Sequence, residues 1–327
     1  MLLLRIFPLQ RIIYLYMFKL INILSVLIWL SASGSLSALE LELYADSDVV
    51  GEPQIILAKY EDTFIKLARR YNLGYEELVQ ANPSVDPWLP GEGTKVVLPT
   101  HFVLPKVPRQ GIVINLPELR LYYYPDGESG RVITHPISIG RMEWGTPLGR
   151  SEIVSKAHNP TWYPPESIRE EHAAQNRPLP KVVPPGPDNP LGKHAMRLSL
   201  PGYLIHGTNK PSGLGMRVTH GCIRMFPEDI EALFENVPIG TPVRIVDQPY
   251  KIGWTNDGFY LEAHPPLEQI KTDDAWTMTA LTRAFVLATE EGQGESFSWD
   301  LAEIVALKSL GVPEFVSSDS LIIRDEN

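Results

Sequence analysis

The chain of 327 residues contains one cysteine, Cys222, within the run His206-Gly-Thr-Asn-Lys-Pro-Ser-Gly-Leu-Gly-Met-Arg-Val-Thr-His-Gly-Cys-Ile-Arg-Met225. A free thiol with a pKa of about 8.5 is only slightly ionised at neutral pH, so it needs a base before it can attack anything. His206 and His220 lie in the same run, and imidazole is the side chain suited to take a proton near pH 7. Gly207, Gly213, Gly215 and Gly221 leave backbone N–H groups uncovered beside the sulfur. Bare amides of that kind make oxyanion holes. Taken alone, a single cysteine is more often a small buried hydrophobe. Cys222 with His206 and His220 could also ligate a metal, but no second cysteine or paired spacing supports zinc. The crowding of these residues into one run favours nucleophilic catalysis, with no metal and no cofactor.

The elements around this run read mainly as strands. Gly111–Asn115, Leu119–Tyr124, Val132–Gly140 and Ser151–Ser155 are short apolar stretches separated by turn signals. A long Pro-rich insertion follows, with a short helix at Glu166–Gln175, and insertions of this length in compact domains are usually functional. Met196–Leu200 and Tyr203–His206 resume the sheet and deliver His206 at a strand end. Pro227–Phe234 is a helix with Pro and acids in its first turn, and Gly240–Val246 is a closing strand. Thirty prolines, about twice the usual frequency, fit many loops and strand ends. A net charge of −10 gives no footprint for nucleic acid.

Residues 1–38 read as a secretory signal: Arg5, Arg11 and Lys19, the apolar run Leu20–Leu30, then small residues up to Ala38. Leu20–Leu30 rises only about 16 Å as a helix, short of a ~30 Å bilayer core. The expectation is export, with no stable membrane insertion after cleavage near Ala38 and an uncleaved anchor the alternative. In residues 39–105, Ile55-Ile-Leu, Asp62–Tyr71, Tyr75–Ala81 and Lys95–Pro99 give the order strand, helix, helix, strand. On Asp62-Thr63, Leu67-Ala68, Tyr71, Leu78, Ala81-Asn82-Pro83 and Val96-Val-Leu-Pro99 this stretch resembles a LysM module, a binder of N-acetylated glycans. Glu61 stands where that module has Gly, and Gly91-Glu-Gly93-Thr departs from its Gly-Gln-x-Leu.

The run His206-Gly-Thr…Gly215…Thr219-His-Gly-Cys-Ile-Arg224 looks like the signature of the L,D-transpeptidases with a YkuD-type catalytic domain. Arg120-Leu-Tyr-Tyr-Tyr124, Gly145-Thr-Pro147, Pro187-Asp-Asn-Pro190 and Val237-Pro match as well. The resemblance implies a mainly β catalytic domain at 106–247, a sandwich or barrel with a few helices. It is preceded by the small α+β LysM-like module and followed by a partly helical extension at 248–327. The resemblance extends to periplasmic enzymes of Gram-negative bacteria with one LysM-like module. It implies Cys222 as nucleophile, His206 as proton acceptor and donor, and the Gly207 carbonyl as the group orienting His206. His220 and Gly221 would form the oxyanion-binding turn, with His220 as base the alternative. Arg224 would receive a stem carboxylate or lower the thiol pKa, with a structural ion pair the alternative; Tyr203, Thr208, Thr219 and Trp162 are candidate substrate-contacting walls, with core packing the competing reading for each. The partners implied are peptidoglycan tetrapeptide stems and, as acyl acceptor, the C-terminal Lys of the outer-membrane lipoprotein. A second diaminopimelate, giving 3→3 cross-links, is the alternative acceptor.

His135, His158, His172 and His194 have no partner pattern in the sequence. In the tail, Ala275–Glu291 and Asp300–Leu310 read as helices with apolar faces at Leu281, Phe285 and Leu287, and at Leu301, Ile304 and Val305. A non-catalytic peptidoglycan-binding protein is the rival reading from another class. It requires wall binding that survives loss of the Cys222 thiol.

Overall fold

The computed structural model describes residues 38–125, 130–141, 144–267, 278–289 and 296–318. The expected signal, apart from Ala38, lies outside them. The first elements are β1 (Leu39–Glu42), β2 (Val49–Gly51), β3 (Gln54–Leu57), α1 (Phe64–Arg70), α2 (Tyr75–Ala81), β4 (Lys95–Leu98) and β5 (His101–Val103). β3 pairs antiparallel with β4, with both helices between them in the chain. Thr63 caps α1 by accepting the Lys66 N–H at 3.3 Å, and the helix buries Phe64, Leu67 and Ala68 on one face. Asn82 ends α2 and staples it to β4, its side chain bonding the Val97 N–H at 2.7 Å and the Val97 carbonyl at 2.8 Å.

Then follow β6 (Gly111–Asn115), β7 (Arg120–Tyr124), β8 (Arg131–Pro136), β9 (Ile139–Gly140), β10 (Gly149–His158), α3 (Glu166–Ala174), β11 (His194–Leu198) and β12 (Leu204–His206). β13 (Arg217–Thr219), β14 (Ile223–Arg224), α4 (Pro227–Asn236) and β15 (Pro242–Val246) complete the set. Nine strands form one mixed sheet, ordered β1-β8-β7-β6-β15-β10-β11-β12-β14. β1, within the 39–105 stretch, joins this sheet by pairing with β8, while its Leu39 also packs on the core of the small unit. The expected strand Val132–Gly140 breaks in two because Ser138 turns aside to exchange backbone hydrogen bonds with Arg224, both at 2.9 Å.

Every residue of β6 and β7 is buried. Ile112, Ile114, Leu121 and Tyr123 face a core shared with Ile230 and Leu233 of α4. Val113, Tyr122 and Tyr124 face a second cluster with Val50, Phe102 and Leu104. Two covered faces explain why these strands read as unbroken apolar runs without alternation. Truncating such a side chain to Ala costs about 2–5 kcal/mol.

Arg120 is fully buried on β7, where Nε and Nη2 donate to the two Glu77 carboxylate oxygens at 2.7 and 2.8 Å. That pair joins α2 to the nine-stranded sheet.

The tail holds more than helices. β16 (Tyr250–Thr255) and β17 (Gly258–Ala263) form a hairpin with the two-residue loop Asn256-Asp257, and β17 also pairs with β18 (Glu314–Phe315). Helices α5 (Met278–Thr289) and α6 (Trp299–Lys308) pack on this hairpin through Leu281, Phe285, Ala302 and Val305. Leu301 and Ile304, on the apolar face read from the sequence, are 41% and 48% exposed. Lys251 Nζ is buried between Glu118 at 2.8 Å and Glu262 at 2.9 Å, and Glu262 accepts the Val103 N–H at 2.6 Å. The extension is thereby bonded to both preceding parts of the chain. Among the described residues no helix is long and apolar enough to cross a membrane.

Candidate active site

β12 and β14 run parallel, with Ile205 beside Ile223 and His206 beside Arg224. Ile205 and Ile223 point into the core, so alternation sends His206 and Arg224 to the opposite face. Cys222 precedes Arg224 by one alternation and shares that face. The Arg224 guanidinium thus acts on both the His206 imidazole and the Cys222 thiol.

The His206 ring is buried, and its Nδ1 lies 2.6 Å from the Gly207 carbonyl oxygen. That carbonyl can only accept, so Nδ1 carries the proton and Nε2 is left with its lone pair. Burial and the Arg224 charge push the ring pKa down to about 3, against the carbonyls of Gly207 and Leu191, which favour protonation. Burial pushes the half-buried Cys222 thiol up, while the Leu204 backbone N–H and Arg224 pull it down. Its Sγ lies 3.7 Å from the Gly202 carbonyl oxygen. The resting pair is therefore a neutral thiol and a neutral imidazole.

Arg224 makes no ion pair with a carboxylate among the described residues, and its buried Nε has no hydrogen-bond partner. Burial lowers its pKa and the Cys222 thiolate raises it. A cation held this way can receive a carboxylate from outside.

The other expected contacts divide. Thr219 Oγ1 donates to the Cys222 carbonyl at 2.6 Å and accepts the Gly221 N–H at 3.2 Å, so its hydroxyl shapes the turn. The same bond occupies the Gly221 amide. Among the described residues the Cys222 N–H has no hydrogen-bond partner. Gly221 adopts φ +100°, and a Cβ there would stand 2.8 Å from the Tyr203 ring, which packs across the turn. Thr208 Oγ1 accepts the Lys210 N–H at 3.0 Å and is buried. Trp162 exchanges backbone hydrogen bonds with Val183 inside the insertion, both at 2.9 Å.

His220 is tied elsewhere. Its Nε2 lies 2.8 Å from Glu171 Oε2 on α3 and 3.3 Å from Arg141 Nη2, and its ring meets Trp144 edge-on at 5.3 Å. The Arg141 and His220 hydrogen bonds hold the Glu171 carboxylate at about 2. The insertion is thereby latched to the loop that carries the thiol. A second brace comes from α2: the N–H groups of Tyr75 and Glu76 donate to the carbonyls of Leu214 and Gly215 at 3.3 and 3.1 Å. Glu171, Arg141, Trp144 and Tyr75 carry no spacing signal relative to Cys222, and only the fold reveals them.

Residues 109–245 match the L,D-transpeptidase catalytic domain YkuD. The chain is 44% identical over 236 residues to the probable L,D-transpeptidase YcfS of Escherichia coli K12, covering 70% of this chain and 73% of that protein. It is 39% identical over 272 residues to the probable L,D-transpeptidase YbiS of the same strain, covering 82% and 88%. Against the probable L,D-transpeptidase ErfK/SrfK of Salmonella typhimurium the figures are 41% over 231 residues, 69% and 74%. The chain belongs to the L,D-transpeptidase family, and its β-rich domain is a YkuD-type catalytic domain.

Proposed function

We propose that this L,D-transpeptidase is cysteine-dependent and acts on peptidoglycan in the periplasm, after export by residues 1–38. The observation that carries this reading is that Arg224, beside His206 across β12 and β14, acts on both the His206 ring and the Cys222 thiol and lacks a carboxylate partner among the described residues. His206 Nε2 takes the thiol proton as Sγ attacks the meso-diaminopimelate carbonyl of a tetrapeptide stem. The Cys222 N–H stabilises the tetrahedral oxyanion, a contribution of about 3 kcal/mol per donor. His206 then gives its proton to the departing D-alanine amine, leaving a thioester on Cys222. Arg224 receives a stem carboxylate and fixes the stem relative to the sulfur. The acyl group passes to the C-terminal Lys amine of the outer-membrane lipoprotein, and residues 39–105 bind the glycan strand as a LysM-like module. A second diaminopimelate amine is the competing acceptor, since both reactions share one acyl-enzyme.

The test is incubation with tetrapeptide muropeptides and a lipoprotein C-terminal peptide, read by mass spectrometry. The expected product joins stem to peptide with release of D-alanine, and Cys222→Ala abolishes it together with any carbapenem adduct. Diaminopimelate dimers alone would sink the lipoprotein acceptor. Wall binding with no acyl-enzyme at all would favour the non-catalytic reading.

A further inference from the structure

β10 and β11 pair so that His158 stands directly opposite His194. α4 lies over this pair: Phe234 packs on both rings, at 4.3 and 5.0 Å, and the His158 and His194 rings are 4.8 Å apart. His158 Nε2 is 3.8 Å from Glu235 Oε1. One ligand atom from each of His158, His194 and Glu235 lies within 4.8 Å of the others. His194 is only 6% exposed, yet its ring nitrogens have no hydrogen-bond partner among the described residues.

We propose that His158, His194 and Glu235 form a binding site for a divalent transition-metal ion of the zinc type. Two imidazoles and one carboxylate suit d-block ions, whereas calcium and magnesium take oxygen ligands. Tetrahedral zinc with bonds near 2.0 Å places its ligand atoms roughly 3.3 Å apart. The site reaches that spacing by movement of His158 and Glu235, whose side chains are 59% and 65% exposed, around a fixed His194. The fourth position is open to water or to Glu231, one turn earlier on α4, whose charge already acts on His194. Lys193 is the opposing cation beside His194, set against those two carboxylates. Burial and the neighbouring His158 hold His194 below the ordinary imidazole pKa. The other convergence of donors, Glu118, Glu262 and His264, already has the Lys251 ammonium against Glu118 and Glu262 and is no such site.

The location ties the ion to the chemistry. The His194 carbonyl accepts the Gly207 N–H at 3.1 Å, and the Gly207 carbonyl in turn fixes His206. An ion on His194 braces the strand immediately behind the base.

Equilibrium dialysis against ZnCl2, with bound metal counted by mass spectrometry, tests the proposal on the full chain and on Cys222→Ser, in which no thiol competes. One zinc per chain is expected in Cys222→Ser, and adding His158→Ala or Glu235→Gln weakens binding more than about tenfold. Zinc raises the thermal midpoint of Cys222→Ser and leaves that of the His158→Ala double variant unmoved. Both altered side chains are exposed, and equal midpoints without zinc confirm that the variants fold. Affinity unchanged by His158→Ala, or zinc binding that disappears with Cys222→Ser alone, overturns the site.

Discussion

A thiol pushed up and an imidazole pushed down to about 3 sit on one sheet face, and neither is charged at neutral pH. His206 can serve as base only when unprotonated. With its pKa lowered well below the ordinary value near 6.5, it stays unprotonated as pH falls through that value. Carbapenem acylation of Cys222, followed by mass spectrometry across pH, should therefore show no acid limb near 6.5; any such limb lies below about pH 4. An acid limb near 6.5 in the wild-type enzyme would refute the neutral resting pair. At this scale the candidate site was legible in the sequence, because Cys222 and His206, the proposed nucleophile and base, share one run with a strong chemical signature. The local bonds of Thr208 and Thr219 were less so, since short hydroxyl side chains often bond backbone two or three residues away. Each has its hydroxyl in such a turn.

The loop bearing Cys222 is held by two elements distant from it in sequence, α2 and α3. Gly215 shows how tight the first contact is. It adopts φ +76°, and a Cβ there would stand 2.3 Å from Gly74 Cα and 2.4 Å from the Tyr75 nitrogen. Gly93 has nearly the same φ, +78°, with nothing within 4 Å of its would-be Cβ. Gly93→Ala therefore isolates the backbone strain, of order 1 kcal/mol, while Gly215→Ala adds the clash. Urea unfolding should rank Gly215→Ala as the more damaging, and only that variant should also slow carbapenem acylation. Equal effects from the two would show that α2 does not brace the loop. The long insertion could be read as functional from its length, but Glu171 could not, since its partnership with His220 exists only once α3 has docked.

Across the molecule, the joints between parts are buried charges. Arg120 and Glu77 tie α2 to the sheet, and Lys251 with Glu118 and Glu262 ties in the tail. Arg120→Met leaves the Glu77 carboxylate buried without its partner, a loss of about 3–5 kcal/mol by urea denaturation. Adding Glu77→Gln removes the orphaned charge and should recover part of that loss. A cost below about 1 kcal/mol for Arg120→Met would mean that water reaches Glu77 in its place. The strand-rich centre and the tail helices followed from apolar pattern and turn residues. The placement of β1 and the hairpin of β16 and β17 did not, although Asn256-Asp257-Gly258 is a turn signal that was there to be used. Pattern fixes which residues pair locally, while an edge strand's choice of sheet depends on surfaces that only the assembled chain presents.

Arg224, half-buried beside the sulfur with no carboxylate neighbour among the described residues, also has a consequence for the enzyme at rest. An unneutralised cation in a confined polar site recruits a counterion from solution. The free enzyme's reactivity should then depend on which salt surrounds it, beyond simple screening. At equal ionic strength, sulfate should protect Cys222 from carbapenem more than chloride does, and Arg224→Gln should erase the difference between the two salts.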